Sequence, residues 1–156
     1  MTERYDITMK SLLLAAACAA SILAAPAARA HVVVSPNQVT AGASATFEMR
    51  VPTEKNVPTT RIRLLMPDDF TFSSVEPVAR WKIKIERSGD RVTAIEARGS
   101  LRTDFFQRFV FRGRAGAPGT LVWKAIQTYR DGSVVRYTGD PGEESASQTT
   151  VVPPAP

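Results

Sequence analysis

The 156-residue chain contains one histidine, His31, and one cysteine, Cys18. A histidine at a free N-terminus differs from one elsewhere, because its α-amine and ring Nδ1 can close a chelate ring around a single metal ion. The proton cost of such binding at neutral pH is small, since an α-amine titrates near ~8 and an imidazole near ~6.5. Planar nitrogen and oxygen donors favour Cu(II), which also stands highest in the Irving–Williams order. Beyond residue 30 only Met49 and Met66 offer soft sulfur, so a Cu(I) site is not expected.

His31 gains that second nitrogen only if the chain is cut before it. Ser11 to Ala25 reads SLLLAAACAASILAA, an apolar run preceded by Lys10 and followed by Pro26 and the small-residue string Ala27-Ala28-Arg29-Ala30. A positive n-region, a short apolar h-region and an Ala-Arg-Ala cleavage site are the parts of a secretory signal peptide. The run is short for a permanent membrane helix. The n-region is cleaner if translation begins at Met9, because Glu3 and Asp6 then fall away. A rival cut is the faint lipoprotein box Ala15-Ala16-Ala17-Cys18, in which Ala15 poorly replaces the usual larger aliphatic residue. The sequence therefore predicts a signal peptide over 1–30, cleavage after Ala30, and a periplasmic or secreted protein with no stable membrane anchor.

Residues 31–156 carry 17 of the 20 basic and 13 of the 15 acidic side chains, and no cysteine. Disulfides, thiolate zinc sites, cysteine nucleophiles and any mechanism needing two histidines are thereby excluded from this part. Its length suits one domain with a core of its own. Arg61, Arg63, Lys82, Lys84, Arg108, Arg112 and Arg114 fall at alternate positions or in loops, as solvated faces and protected edges require. This diffuse charge lacks the stacking aromatics of a nucleic-acid groove, so no nucleic-acid partner is expected.

The elements that position His31 are read from period-two alternation. Thr60 to Met66 sets Ile62, Leu64 and Met66 on one face and Arg61 and Arg63 on the other. Trp81 to Arg87 sets Trp81, Ile83 and Ile85 inward. Phe105 to Phe111 and Leu121 to Tyr129 are more apolar and read as central strands. Ser88-Gly89-Asp90 and Asp131-Gly132 separate consecutive runs, and Asp-Gly predicts a type I′ hairpin turn, with positive φ at both central residues. No segment sustains a 3.6 period. Eight or nine short strands predict an all-β, two-sheet Greek-key sandwich over 31–150. The proline-rich tail over 151–156, VVPPAP, is expected to lie outside the sheets and to fray.

If His31 to Ser35 pairs antiparallel with Ala45 to Val51, the end of the second strand returns to the start of the first. The loop from Pro52 to Asn56 then lies beside His31, and Glu54 can offer a carboxylate there or serve as an ordinary solvated acid. Strict pairing across Asp131-Gly132 sets Arg130 against Ser133 and Ile126 against Tyr137. Tyr137 thus lies at the end of that hairpin remote from its turn, and spacing does not fix what that end faces.

Several motifs in order carry a resemblance. They are His31-Val32-Val33-Val34-Ser35-Pro36, the Ala41-Gly42 turn, Arg50-Val51-Pro52-Thr53-Glu54-Lys55-Asn56 with Val57-Pro58-Thr59-Thr60, Glu76-Pro77-Val78 before Trp81, Phe105-Phe106-Gln107-Arg108-Phe109, and Gln127 to Val135 followed by Thr138-Gly139-Asp140. Together they resemble the YcnI-like extracytoplasmic copper-binding domain from His31 to about Asp140. The resemblance implies a cupredoxin-like or immunoglobulin-like β-sandwich that binds Cu(II) through a single-histidine brace. It carries the amine and imidazole over to His31 and the carboxylate to Glu54. The family's tryptophan before Thr-Gly-Asp is replaced here by Tyr137, whose phenol is smaller and can hydrogen-bond or approach the metal through oxygen.

The function expected from this resemblance is copper homeostasis: a non-enzymatic carrier or buffer passing Cu(II) to a copper-transport membrane permease or another periplasmic copper chaperone. An oxidative copper enzyme would need a second imidazole, which the chain lacks. The remaining alternative is an exported β-sandwich that presents an interaction surface without metal.

Overall fold

In the computed structural model residues 31–156 are described. The expected signal peptide, Cys18 and the alternative start at Met9 lie outside the described residues. Alternating runs become twelve strands: β1 (Val33–Ser35), β2 (Gln38–Thr40), β3 (Ser44–Pro52), β4 (Thr59–Leu65), β5 (Phe70–Val75), β6 (Lys82–Ser88), β7 (Arg91–Leu101), β8 (Phe106–Ala115), β9 (Gly119–Trp123), β10 (Ala125–Tyr129), β11 (Val134–Tyr137) and β12 (Ser147–Val152). They form a four-stranded sheet in the order β1-β3-β8-β5, a five-stranded sheet β11-β10-β4-β7-β6 and a three-stranded sheet β2-β12-β9. The larger two bury their inner faces against each other as an all-β sandwich, and the third continues the layers where β1 passes into β2 and β9 into β10.

The core follows the alternation. Ile62, Leu64 and Met66 are buried beside Ile95 and Ala97 of β7, while Phe47, Met49 and Val51 of β3 and Phe109 and Phe111 of β8 fill the opposite face. Phe47, Phe70, Phe111 and Trp123 form an aromatic centre, with the Trp123 ring 5.0 Å from Phe70 and 5.3 Å from Phe47. The buried Trp123 indole donates to the Thr149 hydroxyl at 3.0 Å, and that hydroxyl donates on to the Pro36 carbonyl at 2.8 Å. The polar edge of the ring is therefore satisfied without leaving the core.

Four expectations are corrected. The count rises to twelve partly because Leu121 to Tyr129 is two strands: β9 pairs with β12 as far as Trp123, and β10 pairs with β4 and β11 from Ala125. Leu121, Trp123, Ala125, Gln127 and Tyr129 are all buried, so alternation continues unbroken through a change of partner and cannot reveal it.

The second concerns β6, which is an edge strand of the five-stranded sheet. Its inner face is incompletely covered, leaving Ile85 37% exposed where burial was expected.

The third is the tail. Val151 and Val152 belong to β12, pairing in parallel with Val39 and Thr40 of β2, and Val151 is buried. The strand ends before Pro153, the first residue of this segment without an N–H to donate.

The fourth correction is the β10–β11 hairpin. Among Arg130, Asp131 and Gly132 only Gly132 has positive φ, at 81°, so the connection is a three-residue loop instead of a two-residue type I′ turn. Gly132 N–H donates to the Tyr129 carbonyl at 3.0 Å and Tyr129 N–H to the Ser133 carbonyl at 2.9 Å. The Asp131 carboxylate accepts both the Ser133 N–H and hydroxyl. The register is consequently one residue from that expected, with Tyr137 opposite Ala125 and Ile126 opposite Arg136.

Candidate metal centre

Three segments converge at the end of the sandwich where β1 begins. Val33 pairs with Arg50 and Val34 with Met49, so extending this register brings His31 opposite Pro52, the last residue of β3. Val32 and Val34 are buried and anchor the segment that His31 starts. The loop after β3 then carries Glu54. From the other sheet, β11 ends at Tyr137 beside them.

His31 and Tyr137 meet edge to face, with ring centroids 6.0 Å apart at 66°. Tyr137 is fully buried. Its hydroxyl donates to Gln127 Oε1 at 3.2 Å, and the buried Gln127 amide donates to the Pro52 carbonyl at 2.8 Å and the Thr59 hydroxyl at 2.6 Å. Gln127 thus ties the tyrosine to the end of β3 and the start of β4. Burial, and after it the Glu54 carboxylate, push the Tyr137 phenol far above the usual value. It is a neutral hydroxyl at physiological pH, able to donate a hydrogen bond.

Glu54 Oε1 is buried and has no hydrogen-bond partner, and the Tyr129 hydroxyl is in the same position. Burial is the largest influence on the Tyr129 phenol and raises it, the Glu54 backbone lowers it, and the Glu54 charge raises it again. Lys55 Nζ lies 4.9 Å over the Tyr129 ring and donates to the Ser133 hydroxyl at 2.9 Å, so the lysine next to Glu54 is held on the far hairpin. A buried carboxylate oxygen without a donor is costly. A cation is the natural partner for it.

The structure therefore links Tyr137 to each of the other two expected groups, its ring contacting His31 and its phenol feeling the charge of Glu54. It adds residues that the sequence had not singled out as site groups. Glu144 Oε2 is 3.3 Å from His31 Nε2. It arrives on the β11–β12 connection, far from His31 in sequence, and no spacing signal marks it. Gln127 does have a sequence signal: it is a polar side chain at an inward position between Ala125 and Tyr129.

Among the described residues no group of three or more His, Cys, Asp and Glu side chains is placed to hold a metal ion. A centre at His31 would need a donor that is not a side chain. The His31 nitrogen is such a donor once the Ala30–His31 bond is cut.

The family model described as "Domain of unknown function (DUF1775)" matches residues 31–156. A curated relative, "Copper-binding protein CutI" of Bacillus subtilis (strain 168), is 37% identical over 127 residues, which cover 79% of this chain. The match spans 62% of the relative's own length. Among solved structures, a protein from Nocardia farcinica with an immunoglobulin-like fold superposes with a TM-score of 0.70 at 24% identity, over 78% of this chain and 98% of that one. A cohesin module from Clostridium perfringens superposes at 0.52 with 11% identity, over 79% and 98% of the two chains. The first of these likenesses identifies the sandwich as immunoglobulin-like.

Proposed function

The chain belongs to the DUF1775 family, the YcnI-like domain that its motifs resemble, and from that membership we propose that it is an exported Cu(II)-binding protein of copper homeostasis. Copper is its cargo. Cleavage after Ala30 frees the α-amine of His31, and that amine, the imidazole and the Glu54 carboxylate supply the donors. The protein acts in the periplasm or outside the cell as a carrier or buffer, and a copper-transport permease or another copper chaperone receives the ion. No catalytic role is proposed, because a two-imidazole oxidative centre has no second histidine in these 156 residues.

The observation that carries this reading is the buried Glu54 Oε1, which has no hydrogen-bond partner, on a carboxylate whose charge acts on the Tyr137 that contacts the His31 ring. A donor would normally satisfy such an oxygen, and its lack of one fits a place for a cation beside the neutral Tyr137 phenol, to which the Glu54 carboxylate is otherwise coupled. Neutral Tyr137 fits as a packing wall against the His31 ring that offers a hydroxyl in place of charge.

The test is calorimetric titration of the mature protein with Cu(II), beside a variant carrying one additional residue ahead of His31. The mature protein is expected to bind one equivalent, and the extended variant to lose at least about a hundredfold in affinity, or about 2.8 kcal/mol. Equal binding by the two refutes the amine–imidazole chelate.

A further inference from the structure

Resting on the copper-binding reading, we infer that Glu144 is a positioning residue that selects the chelating form of His31. A neutral imidazole has one N–H and one lone pair, and the nitrogen that donates a hydrogen bond leaves the other free to bind metal. Glu144 Oε2 stands 3.3 Å from Nε2. A carboxylate at that nitrogen favours the Nε2–H tautomer and leaves the lone pair on Nδ1. Only Nδ1 can chelate together with the residue's own α-amine, since Nε2 lies on the far side of the ring. The contact thus prepares the ring for a brace before any metal arrives.

The backbone around Glu144 is built to hold it there. Its N–H donates to the Arg136 carbonyl at 2.9 Å and its carbonyl accepts from Gly139 N–H at 2.8 Å. These bonds form a parallel bridge between Glu144 and Tyr137, so the residue that touches the His31 ring edge to face also anchors the residue that meets its Nε2. Gly139 and Gly142 take positive φ, 75° and 82°, and let the chain fold back on itself within a few residues. Thr138 adds a hydroxyl contact to Glu143 and accepts the Asp140 N–H at 3.2 Å. Arg136 lies 3.7 Å from Glu143 and Lys124 3.4 Å from Asp140 in the same connection.

The two carboxylates consequently come from different connections and have different roles. Glu54 comes from β3–β4 with a buried, unpartnered oxygen suited to the ion. Glu144 comes from β11–β12 with its oxygen on the ring nitrogen that a brace leaves unused. Carboxylate partners of this kind fix ring orientation and raise the basicity of a ligating histidine, and losing one typically weakens metal binding about 10- to 100-fold.

The experiment uses the mature protein, Glu144→Ala and Glu144→Gln. Nitrogen-15 NMR of the metal-free proteins, at mildly alkaline pH where imidazole is neutral, reads the His31 tautomer. Calorimetry and electron paramagnetic resonance read the Cu(II) complex. Wild type is expected to hold the Nε2–H tautomer. Glu144→Ala should lose that preference and bind Cu(II) about 10- to 100-fold more weakly, with an unchanged circular dichroism spectrum. Glu144→Gln, whose amide oxygen still accepts, should recover most of both readouts. An Nδ1–H tautomer in wild type, or unchanged affinity in Glu144→Ala, overturns the inference. Equal loss in both variants with a changed set of coordinating atoms overturns it too, by making Glu144 a ligand. If Glu144→Ala does not fold, the wild-type tautomer and the Gln variant still decide. A wild-type protein that binds no Cu(II) refutes the copper function itself, whereas normal wild-type binding with an indifferent Glu144→Ala refutes only the role given to Glu144.

Discussion

Glu54 places two demands in opposition within one side chain. In the metal-free fold its Oε1 is buried without a donor, which costs stability, while the same oxygen is the carboxylate proposed for the ion. Glu54→Gln should therefore have effects of opposite sign. Thermal denaturation of the metal-free variant is expected at a melting temperature equal to or above that of wild type, because a buried charge has been removed. Cu(II) affinity should fall about 10- to 100-fold, corresponding to a charge-assisted contact of about 1.5–3 kcal/mol. A variant with lower stability and unchanged affinity would assign Glu54 to the fold instead of the site. Tyr137 is compatible with the demand of Glu54 because burial keeps its phenol neutral and adds no second anion.

Across the outer face of the five-stranded sheet, charge is organised by strand pairing. Arg63 of β4 lies opposite Glu96 of β7, which in turn lies opposite Lys84 of β6. Arg63 grips Glu86 with Nε and Nη2, the shorter contact being 2.6 Å. Glu96 is buried beneath the guanidiniums of Arg61 and Arg98, with Arg98 Nε at 2.6 Å. Burial alone would raise the Glu96 carboxyl, but hydrogen bonds from Arg98 and Arg61 outweigh it and hold the group below its ordinary value of 4.5. A lowered carboxylate stabilises the fold above its unfolded-state value, and that stability is lost as pH falls through the lower folded-state value. Glu96→Gln should cost about 1–2 kcal/mol at neutral pH, a figure reduced because both guanidiniums face solvent. In denaturant titrations the gap between wild type and variant should narrow as pH drops below 4.5. A gap independent of pH would mean that packing, not charge, holds Glu96. The opposite hairpin illustrates how sensitive placement is at this scale. A one-residue slip reverses every side chain in a strand, and the three-residue loop at Arg130 to Gly132 is what pairs inward Tyr137 with inward Ala125.

Over the whole molecule, the candidate centre and the densest packing occupy different regions. Gly113 of β8 lies against Phe70 so closely that an added Cβ would come within 2.1 Å of that ring and 2.6 Å of the Thr71 carbonyl oxygen. The backbone oxygen cannot swing aside, so Gly113→Ala would push β5 off β8. Gly113 pairs with Ala45, and Pro52 lies seven residues farther along β3, roughly 23 Å at the usual rise of an extended strand. Gly113→Ala is expected to destabilise the fold by about 1–3 kcal/mol in urea denaturation and to leave Cu(II) affinity unchanged in the folded protein. Loss of both together would show that the sandwich transmits core strain to the His31 end. Such separation suits the proposed binding role, in which the core supplies rigidity and the segment starting at His31 and the β3–β4 connection supply the donors.

The sequence by itself determined the all-β class, because alternation at Ile62, Leu64 and Met66 is a local consequence of a pleated strand with one buried face. It also limited the donors open to the proposed copper site: one histidine, no cysteine after residue 30, and a Pro-Thr-Glu segment that follows the strand paired with β1. Tertiary structure decided which alternating run pairs with which, and so divided Leu121 to Tyr129 between two sheets and carried Val151 and Val152 into β12. It alone set Tyr137 against the His31 ring and brought Glu144 to Nε2. The physical reason is the range of the forces involved. Periodicity and turn chemistry act between residues a few positions apart and are written in composition. Register, partner choice and the approach of distant loops are settled only when whole sheets bury their faces together, and Glu144, 113 positions beyond His31, meets it by that route alone.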